Sequence, residues 1–354
     1  MKLGVEPRVL SRSILLVVPV ILTLDMATLI YAAFKGAFPA TVSLGSPLAY
    51  RNIYIHVPIA LSSYLLFALA ALGAMLYLWK EDPRGAKLSY TAVVLGVVYA
   101  ALTLITGSTW AQESWGVAWN WDPKQTAVLF LFLAFLAYFP IRRSISDPER
   151  RERVSAAYAA AAFSLVIVSF LANRIVESLH PTGQAIQQFS AEPVTGVLFG
   201  LRMLFALGTA ISLLAVGYLG LTPPRILGAS VAVVGIIAAL ALASPIVGGE
   251  IYRVVDAKLD SSGNIIELVV SDGSGEREVV FDNPIPSPIV PAITIDGRIT
   301  IVGHLIKLKD EGFEVVPHWS TPLGVALYTL SISALLLRRW NKDDLNSSNA
   351  NTIS

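Results

Sequence analysis

The sequence contains no cysteine and little charge, and each shortage excludes whole classes of protein. Without a thiol the chain forms no disulfide, iron–sulfur cluster, thiolate metal site or cysteine nucleophile. Charged residues make up only 14% of its 354 residues, whereas a soluble domain carries about 25%. A formal net charge of +1 provides no broad basic face for nucleic acid. A disordered chain, a nucleic-acid binder and an ordinary cytosolic enzyme are therefore excluded.

Apolar residues are abundant instead, and their long runs predict a membrane protein. They make up 55% of the chain, and the mean hydropathy is +0.64. A membrane-spanning helix needs about 20 largely apolar residues. Eight segments meet this condition: 12–34, 54–79, 88–107, 125–141, 154–175, 195–220, 226–247 and 322–338. The predicted fold class is mainly α, a polytopic helical bundle in the plasma or inner membrane.

Positively charged side chains indicate the orientation of this bundle. Lys and Arg concentrate at the N-terminus and in every second loop, as in the stretch 142–153 with its five arginines. Loops of this kind lie on the cytoplasmic side of a membrane. We therefore expect both termini in the cytoplasm and the intervening loops on the external or periplasmic side.

Residues 249–317 differ in character from the spans. Short runs of alternating apolar and polar residues are separated there by turn signals such as Asp-Gly-Ser-Gly. This pattern predicts five strands in a small external β-barrel, of the oligonucleotide/oligosaccharide-binding (OB) type, inserted before the last helix. The polar tail 341–354 is predicted to be disordered.

The loop between the third and fourth spans is rich in tryptophan. It holds four of the seven tryptophans in the chain, Trp110, Trp115, Trp119 and Trp121. An aromatic belt at a membrane interface is normally sparser, so this density favours a binding surface for a large flat π-system. Trp115 and Trp119 would share one face of a short helix, and Gly116 would allow a ligand to approach closely.

Asp122 ends this tryptophan loop and has two interpretations. Its carboxylate could orient an indole N–H, or it could cap the helix that begins at Pro123. An aspartate followed by proline at the first helical position is typical of a helix start. The capping role is therefore favoured.

Two of the four histidines are predicted to lie on the same side of the membrane as this loop. His56 begins the second span, and His180 follows the fifth. Neutral imidazole is a common axial ligand of heme iron, and a porphyrin would suit the indole surface. Two imidazoles beside one aromatic surface favour a bis-histidine site that holds and passes heme. His304 is interpreted as a sheet-surface residue, and His318 as a rim residue or a transient ligand.

Three stretches resemble a known family. The loop contains WGVAWNWDPKQT at 115–126, which resembles the tryptophan-rich WWD signature of heme-handling proteins in cytochrome c biogenesis. The stretches YIHVP at 54–58 and SLHP at 178–181 resemble the two histidine motifs of the CcmC branch of that superfamily. Order and spacing agree with that branch across residues 50–220, while the DPKQT ending also leans toward the CcsA and CcmF branches.

This resemblance implies a membrane protein that binds heme b non-covalently on its external face. The heme would pass to a CcmE-type heme chaperone, with CcmA and CcmB as transporter partners and apocytochrome c served indirectly. His56 and His180 would be the axial ligands of the iron, and Arg174 could pair with a heme propionate. The other predicted cofactor-binding residues are Trp110, Trp115, Gly116, Trp119, Trp121 and Asp122.

The same resemblance divides the chain into domains. Residues 1–220 would form the heme-handling transmembrane domain, with the WWD loop at 108–124. An additional helix at 221–248, the β module at 249–317, the last helix at 318–340 and the tail would follow. The β module is similar in outline to CcmE, but the tyrosine of its heme-attachment motif is replaced here by Pro322.

Heme delivery without enzymatic activity is the leading hypothesis, and two alternatives remain. A CcsA-type cytochrome c synthase would itself promote covalent attachment of heme to apocytochrome c. A secondary transporter is less favoured, because Asp25 is the prominent charge within a span and no pair of broken helices is evident. The sequence has no P-loop or nucleotide fingerprint, so energy for pumping would come from a partner.

Overall fold

A computed structural model describes residues 7–36, 51–180, 193–285, 293–295, 298–300, 305–310, 312–316, 319–338 and 340. His304, His318 and the tail, for which predictions were made above, lie outside the described residues. Within the described ranges the helices are α1 (Pro7–Lys35), α2 (Ile53–Lys80), α3 (Pro83–Trp115), α4 (Pro123–Arg143), α5 (Pro148–Ala162), α6 (Ser164–Ile175), α7 (Pro193–Leu219), α8 (Arg225–Ala243) and α9 (Ser320–Leu337).

Eight helical segments of the described chain are long and apolar enough to cross a membrane, which confirms the predicted number of spans. Helices α5 and α6 count as one segment, because they are separated only at Phe163. The third span differs most from its prediction, since α3 continues to Trp115 beyond the predicted end at 107. The residues between these points include neither glycine nor proline, so nothing breaks the helix there, and it stops where Gly116 adopts a left-handed φ of 78°.

Three helices begin at an Asp-Pro pair, which explains why their first residues are so well defined. Asp82, Asp122 and Asp147 each precede a proline at the first helical position of α3, α4 and α5. Each carboxylate accepts a hydrogen bond from a backbone N–H of the first turn, at 2.7–2.9 Å. These caps satisfy amides that a helix start leaves unpaired.

Helices α2 and α3 form an antiparallel pair at the centre of the bundle. Their backbones approach closely at Gly73 and Gly85, where a Cβ on either residue would lie 2.7 Å from the other's carbonyl oxygen. Phe67 of α2 stacks on Phe135 of α4 with ring centroids 3.9 Å apart. The packing that holds α2 between its neighbours also fixes the first turn of α2, where His56 lies.

The β module forms an open antiparallel sheet, so the prediction of a closed barrel is wrong. Its strands are β1 (Tyr252–Leu259), β2 (Ile265–Ser271), β3 (Glu276–Ile285), β4 (Ile293–Ile295), β5 (Arg298–Thr300), β6 (Leu305–Lys309) and β7 (Gly312–Val316). They lie in the order β3-β2-β1-β6-β7, while β4 and β5 pair separately. Among the described residues, strand β1 pairs with β6 through two residue pairs, Tyr252 with Ile306 and Arg253 with Leu305. Closure requires both edges to pair along their length, but the edge strands differ twofold in length.

A carboxylate of α3 joins the tryptophan-rich end of the bundle to the helix that follows the sheet. Glu113 accepts a hydrogen bond from the backbone N–H of Ser320 at 2.7 Å, and the Ser320 hydroxyl also donates to it. Because α9 has no side-chain cap of its own, Glu113 performs that role from another helix. The last turn of α3 and the first turn of α9 are thereby fixed to each other.

Candidate functional site

A cavity opens among α2, α3, α4 and α6, beside the tryptophan loop. It encloses about 1100 Å³, including the open solvent at its mouth. The structure brings five predicted site residues together on its wall: His56, Trp110, Trp119, Arg174 and His180. Most of the remaining wall is apolar or aromatic, with contributions from Ile53, Val57, Ala60, Leu61, Tyr64, Leu104, Val128 and Phe170.

The buried imidazole of His56 is held in one tautomer by a threonine of α3. His56 Nδ1 lies 2.9 Å from Thr106 Oγ1. The Thr106 hydroxyl donates its own hydrogen to the carbonyl of Leu102 at 2.7 Å, so it must accept from His56. Nδ1 therefore carries the ring proton, and Nε2 is the nitrogen with the lone pair that binds a metal.

The position of the His56 ring also depends on the absence of a side chain at Gly107. A Cβ at Gly107 would lie 2.8 Å from His56 Cε1, closer than carbon atoms approach without displacement. The edge of the ring meets Trp110, one turn along α3 from Thr106, with centroids 5.8 Å apart and planes at 68°. The α2–α3 interface thus fixes both the rotation and the tautomer of His56.

His180 is oriented by Asp122. Its Nδ1 lies 3.0 Å from Asp122 Oδ1, and an ionised carboxylate can only accept, so Nδ1 is again the protonated nitrogen. A metal bond from His180 must therefore come from Nε2. The prediction that Asp122 caps α4 is confirmed, because its Oδ1 accepts from Lys124 N at 2.9 Å and Gln125 N at 3.3 Å.

Asp122 is 4% exposed and remains an anion. Burial favours its neutral form, but hydrogen bonds from His180, from the Ser178 hydroxyl and from the Leu179 backbone outweigh that effect, so the pKa of Asp122 lies well below its usual range. Ser178 Oγ and Leu179 N donate to Oδ2 at 2.7 and 2.8 Å. One carboxylate therefore fastens the segment after α6 to the start of α4.

The backbone of the tryptophan loop differs from the helix considered in the sequence. Helix α3 ends at Trp115 and Trp119 is not helical, so the two residues do not share one helical face. The side chain of Trp115 lies outside the described residues. Trp110, placed in the loop by the sequence, belongs to α3. Gly116 serves as the left-handed end of α3, and a Cβ there would meet no atom within 4 Å.

Trp121 has a backbone conformation that a tryptophan seldom adopts. Its φ is 60°, in the left-handed region, and its side chain is 69% exposed. It meets Trp119 edge-on with centroids 5.7 Å apart. Such strain persists only where the surroundings enforce it and is common at functional sites. Here Gln125 binds the loop to α4, since its side chain donates to the Ala118 carbonyl at 3.1 Å.

Sequence reasoning missed several wall residues, of which Lys124 is the most informative. Its ammonium donates to the carbonyls of Ser169 and Phe170 and lies 5.5 Å from the ring centroid of Tyr64. A cation in the first turn of a helix interacts unfavourably with the helix dipole. This unfavourable placement could have marked Lys124 as a candidate functional residue in the sequence. Gly107 of the wall, and Thr106 behind His56, gave no signal, because their roles depend on the packing of α3 against α2.

Comparison with known proteins finds a family model that matches this region. The model of the family described as cytochrome C assembly protein matches residues 6–180. The resemblance read from the sequence is confirmed. The matched region contains α1 to α6, both histidines and the tryptophan loop.

Individual relatives carry names from two branches. The chain is 29% identical over 131 residues to heme exporter protein C of Rhodobacter capsulatus, covering 37% of this chain and 54% of the relative. It is 31% identical over 121 residues to the protein of that name from Bradyrhizobium diazoefficiens, covering 34% and 46%. It is 38% identical over 97 residues to cytochrome c biogenesis protein CcsA of Prochlorococcus marinus, covering 27% and 30%. The chain thus matches about half, or less, of each relative's length.

Proposed function

We propose that this multi-pass membrane protein binds heme b non-covalently in the cavity and delivers it for cytochrome c maturation. One observation carries the proposal. Two imidazoles line a single aromatic-walled cavity, and each is held through Nδ1, which directs Nε2 to metal binding. Metal-binding histidines are held in this way by hydrogen bonds on the opposite nitrogen.

The chemistry of the wall fits the remainder of the porphyrin. Apolar and indole surfaces suit its flat ring, and cationic side chains suit its two propionates. Lys124 and Arg174 both line the cavity, which supports the proposed pairing of Arg174 with a propionate. In this proposal Trp119 and Trp121 cover the porphyrin plane, and Asp122 acts on the heme through His180.

The proposed setting follows from the charge pattern and from the relatives. The heme cavity and the sheet would face the external side, with both termini in the cytoplasm. Residues 1–220 would be the heme-handling domain, a CcmE-type chaperone would receive the heme, and CcmA and CcmB would be transporter partners. The names of the heme exporter relatives support this assignment to the Ccm system.

Hemin titration of the detergent-purified protein tests the proposal. We expect a low-spin six-coordinate spectrum for the wild type and a five-coordinate spectrum for His56→Ala or His180→Ala. The double variant should lose axial ligation altogether, while His304→Ala serves as a matched histidine control and should resemble the wild type. An unchanged six-coordinate spectrum in the folded double variant would contradict the assignment of the ligands.

A second function is supported by the CcsA relative, which is 38% identical over the shared segment. In that case the protein would act as a cytochrome c synthase and promote thioether formation. Co-expression with an apocytochrome c, in cells without other maturation proteins, separates the two functions. Holocytochrome c would appear only if the protein is a synthase.

A further inference from the structure

A buried ion pair joins two helices in the interior of the bundle. Asp25 of α1 and Arg202 of α7 are both fully buried, and the Asp25 carboxylate contacts the Arg202 guanidinium through Nη1. The hydroxyls of Thr209 and Tyr328 donate to the other carboxylate oxygen at 2.9 and 2.8 Å. Charges within a membrane span are costly and usually serve a function.

Arg202 also reaches a third helix. Its Nε donates to the backbone carbonyl of Tyr54, in the first turn of α2, at 3.1 Å. In a regular helix that carbonyl accepts from the N–H four residues later. Here the fourth residue is Pro58, which has no N–H. Arg202 therefore supplies the hydrogen bond that the sequence of α2 removes.

His56 lies at the centre of the turn that Arg202 closes. Tyr54 precedes it by two residues and Pro58 follows it by two. Phe199, one turn before Arg202 on α7, packs edge-on against the Tyr54 ring with centroids 6.3 Å apart. Thr106 of α3 holds the His56 ring itself. Helix α7 thus fixes the backbone on which His56 is mounted, and α3 fixes the imidazole.

We propose that Arg202 is a positioning residue for His56, with Asp25 as the counter-ion that holds its guanidinium toward Tyr54. The role in heme binding rests on the proposed function above, whereas the effect on α2 does not. Without the Arg202 bond, the Tyr54 carbonyl loses the donor that replaces the N–H missing at Pro58, and the turn that carries His56 loosens. Heme would then be bound more weakly although no residue of the cavity wall has changed.

Four variants test this proposal. Arg202→Lys keeps the positive charge opposite Asp25 but lacks the planar guanidinium that donates to Asp25 and Tyr54 at the same time. Pro58→Ala restores a backbone N–H for the Tyr54 carbonyl, and the double variant combines both changes. Arg142→Lys is the matched control, because Arg142 pairs with Glu152 in a part-buried ion pair at the junction of α4 and α5.

Two measurements are made on the full-length protein: hydrogen–deuterium exchange of residues 53–61 without heme, and the affinity for hemin. We expect Arg202→Lys to accelerate exchange in this segment and to weaken hemin binding about tenfold, the loss of roughly one charged hydrogen bond. Pro58→Ala should return both values to near wild type in the double variant. Arg142→Lys should change neither.

The rescue by Pro58→Ala separates positioning from a merely structural role. Unchanged exchange in Arg202→Lys, or a double variant that stays as loose as the single variant, would overturn the proposal. If Arg202→Lys is not recovered folded, Asp25→Asn/Arg202→Gln removes the charges together, and its rescue by Pro58→Ala is tested in the same way. A wild type that fails to bind hemin would contradict the proposed function, while the exchange data would still decide the role of Arg202.

Discussion

At the scale of single residues, the two candidate ligands are held by partners of different chemistry. Thr106 offers a neutral hydroxyl to His56, whereas Asp122 offers a carboxylate to His180. A carboxylate partner makes an imidazole the more basic ligand. We therefore expect His180 to be the stronger donor to iron and His56 the weaker one. One weak axial ligand suits a protein that must release its heme.

Asp122 caps α4, orients His180 and binds the segment after α6. Replacing it with the neutral isostere asparagine should therefore destabilise the protein by more than the loss of a helix cap alone. Asp122→Asn should lower the free energy of unfolding by roughly 1–3 kcal/mol at neutral pH. Because the pKa of Asp122 in the folded protein lies below the ordinary value of 3.8, this stabilisation is present above that pH and is lost as the pH falls through the folded value. Thermal melting of both proteins across pH measures the difference, which should shrink below about pH 4.

Asp147→Asn is the control for this prediction. Asp147 caps α5 with the same Asp-Pro geometry but lies beyond the opposite end of α4 from Asp122 and His180. It should show a smaller loss of stability and no change in the hemin spectrum. If Asp122→Asn were no worse than Asp147→Asn in both measurements, the fastening role of Asp122 would be wrong.

At the scale of elements, the α2–α3 interface predicts a substitution that weakens heme binding without lowering stability. Gly107→Ala raises the helical propensity of α3, worth about 1 kcal/mol in an isolated helix. The added Cβ would nevertheless lie 2.8 Å from His56 Cε1 and displace the ring. We expect hemin affinity to fall about tenfold, as for one lost hydrogen bond, while the melting temperature changes little.

Gly200→Ala provides the matched control for this substitution. Gly200 lies in α7, and a Cβ there meets no atom within 4 Å. It should leave the hemin affinity unchanged. Equal affinities for Gly107→Ala and the wild type would show that the contact with Gly107 does not position His56.

The elements also show which kinds of structure the sequence could predict. Apolar runs predicted all eight spans, because burial in lipid imposes a length on each of them. The Asp-Pro signal predicted the start of α4 at Pro123. The barrel prediction failed because strand patterns carry no information about whether edge strands β3 and β7 meet. Thr106, Gly107 and Arg202 could not be assigned, since their roles arise from contacts between distant helices.

At the scale of the whole molecule, α2 links the features that the sequence presents separately. Its first turn bears His56 and is fixed by α3 on one side and by the α1–α7 ion pair on the other. The end of α3 is fixed in turn to α9 through Glu113 and Ser320. A change at α9 therefore has a continuous path of contacts to the tryptophan loop.

The final prediction concerns which side of the membrane this assembly faces. Because the sequence contains no cysteine, the wild type gives no thiol-labelling signal. Single cysteines can therefore be introduced at exposed positions and labelled one at a time. Val117→Cys in the tryptophan loop and Ser262→Cys in the β1–β2 turn should react with an impermeant maleimide in intact cells. Ser146→Cys, in the arginine-rich loop before α5, should react only after permeabilisation, because positively charged loops stay in the cytoplasm. Labelling of Ser146→Cys in intact cells would contradict the proposed orientation. Opposite results for Val117→Cys and Ser262→Cys would show that the sheet and the heme cavity face different sides of the membrane.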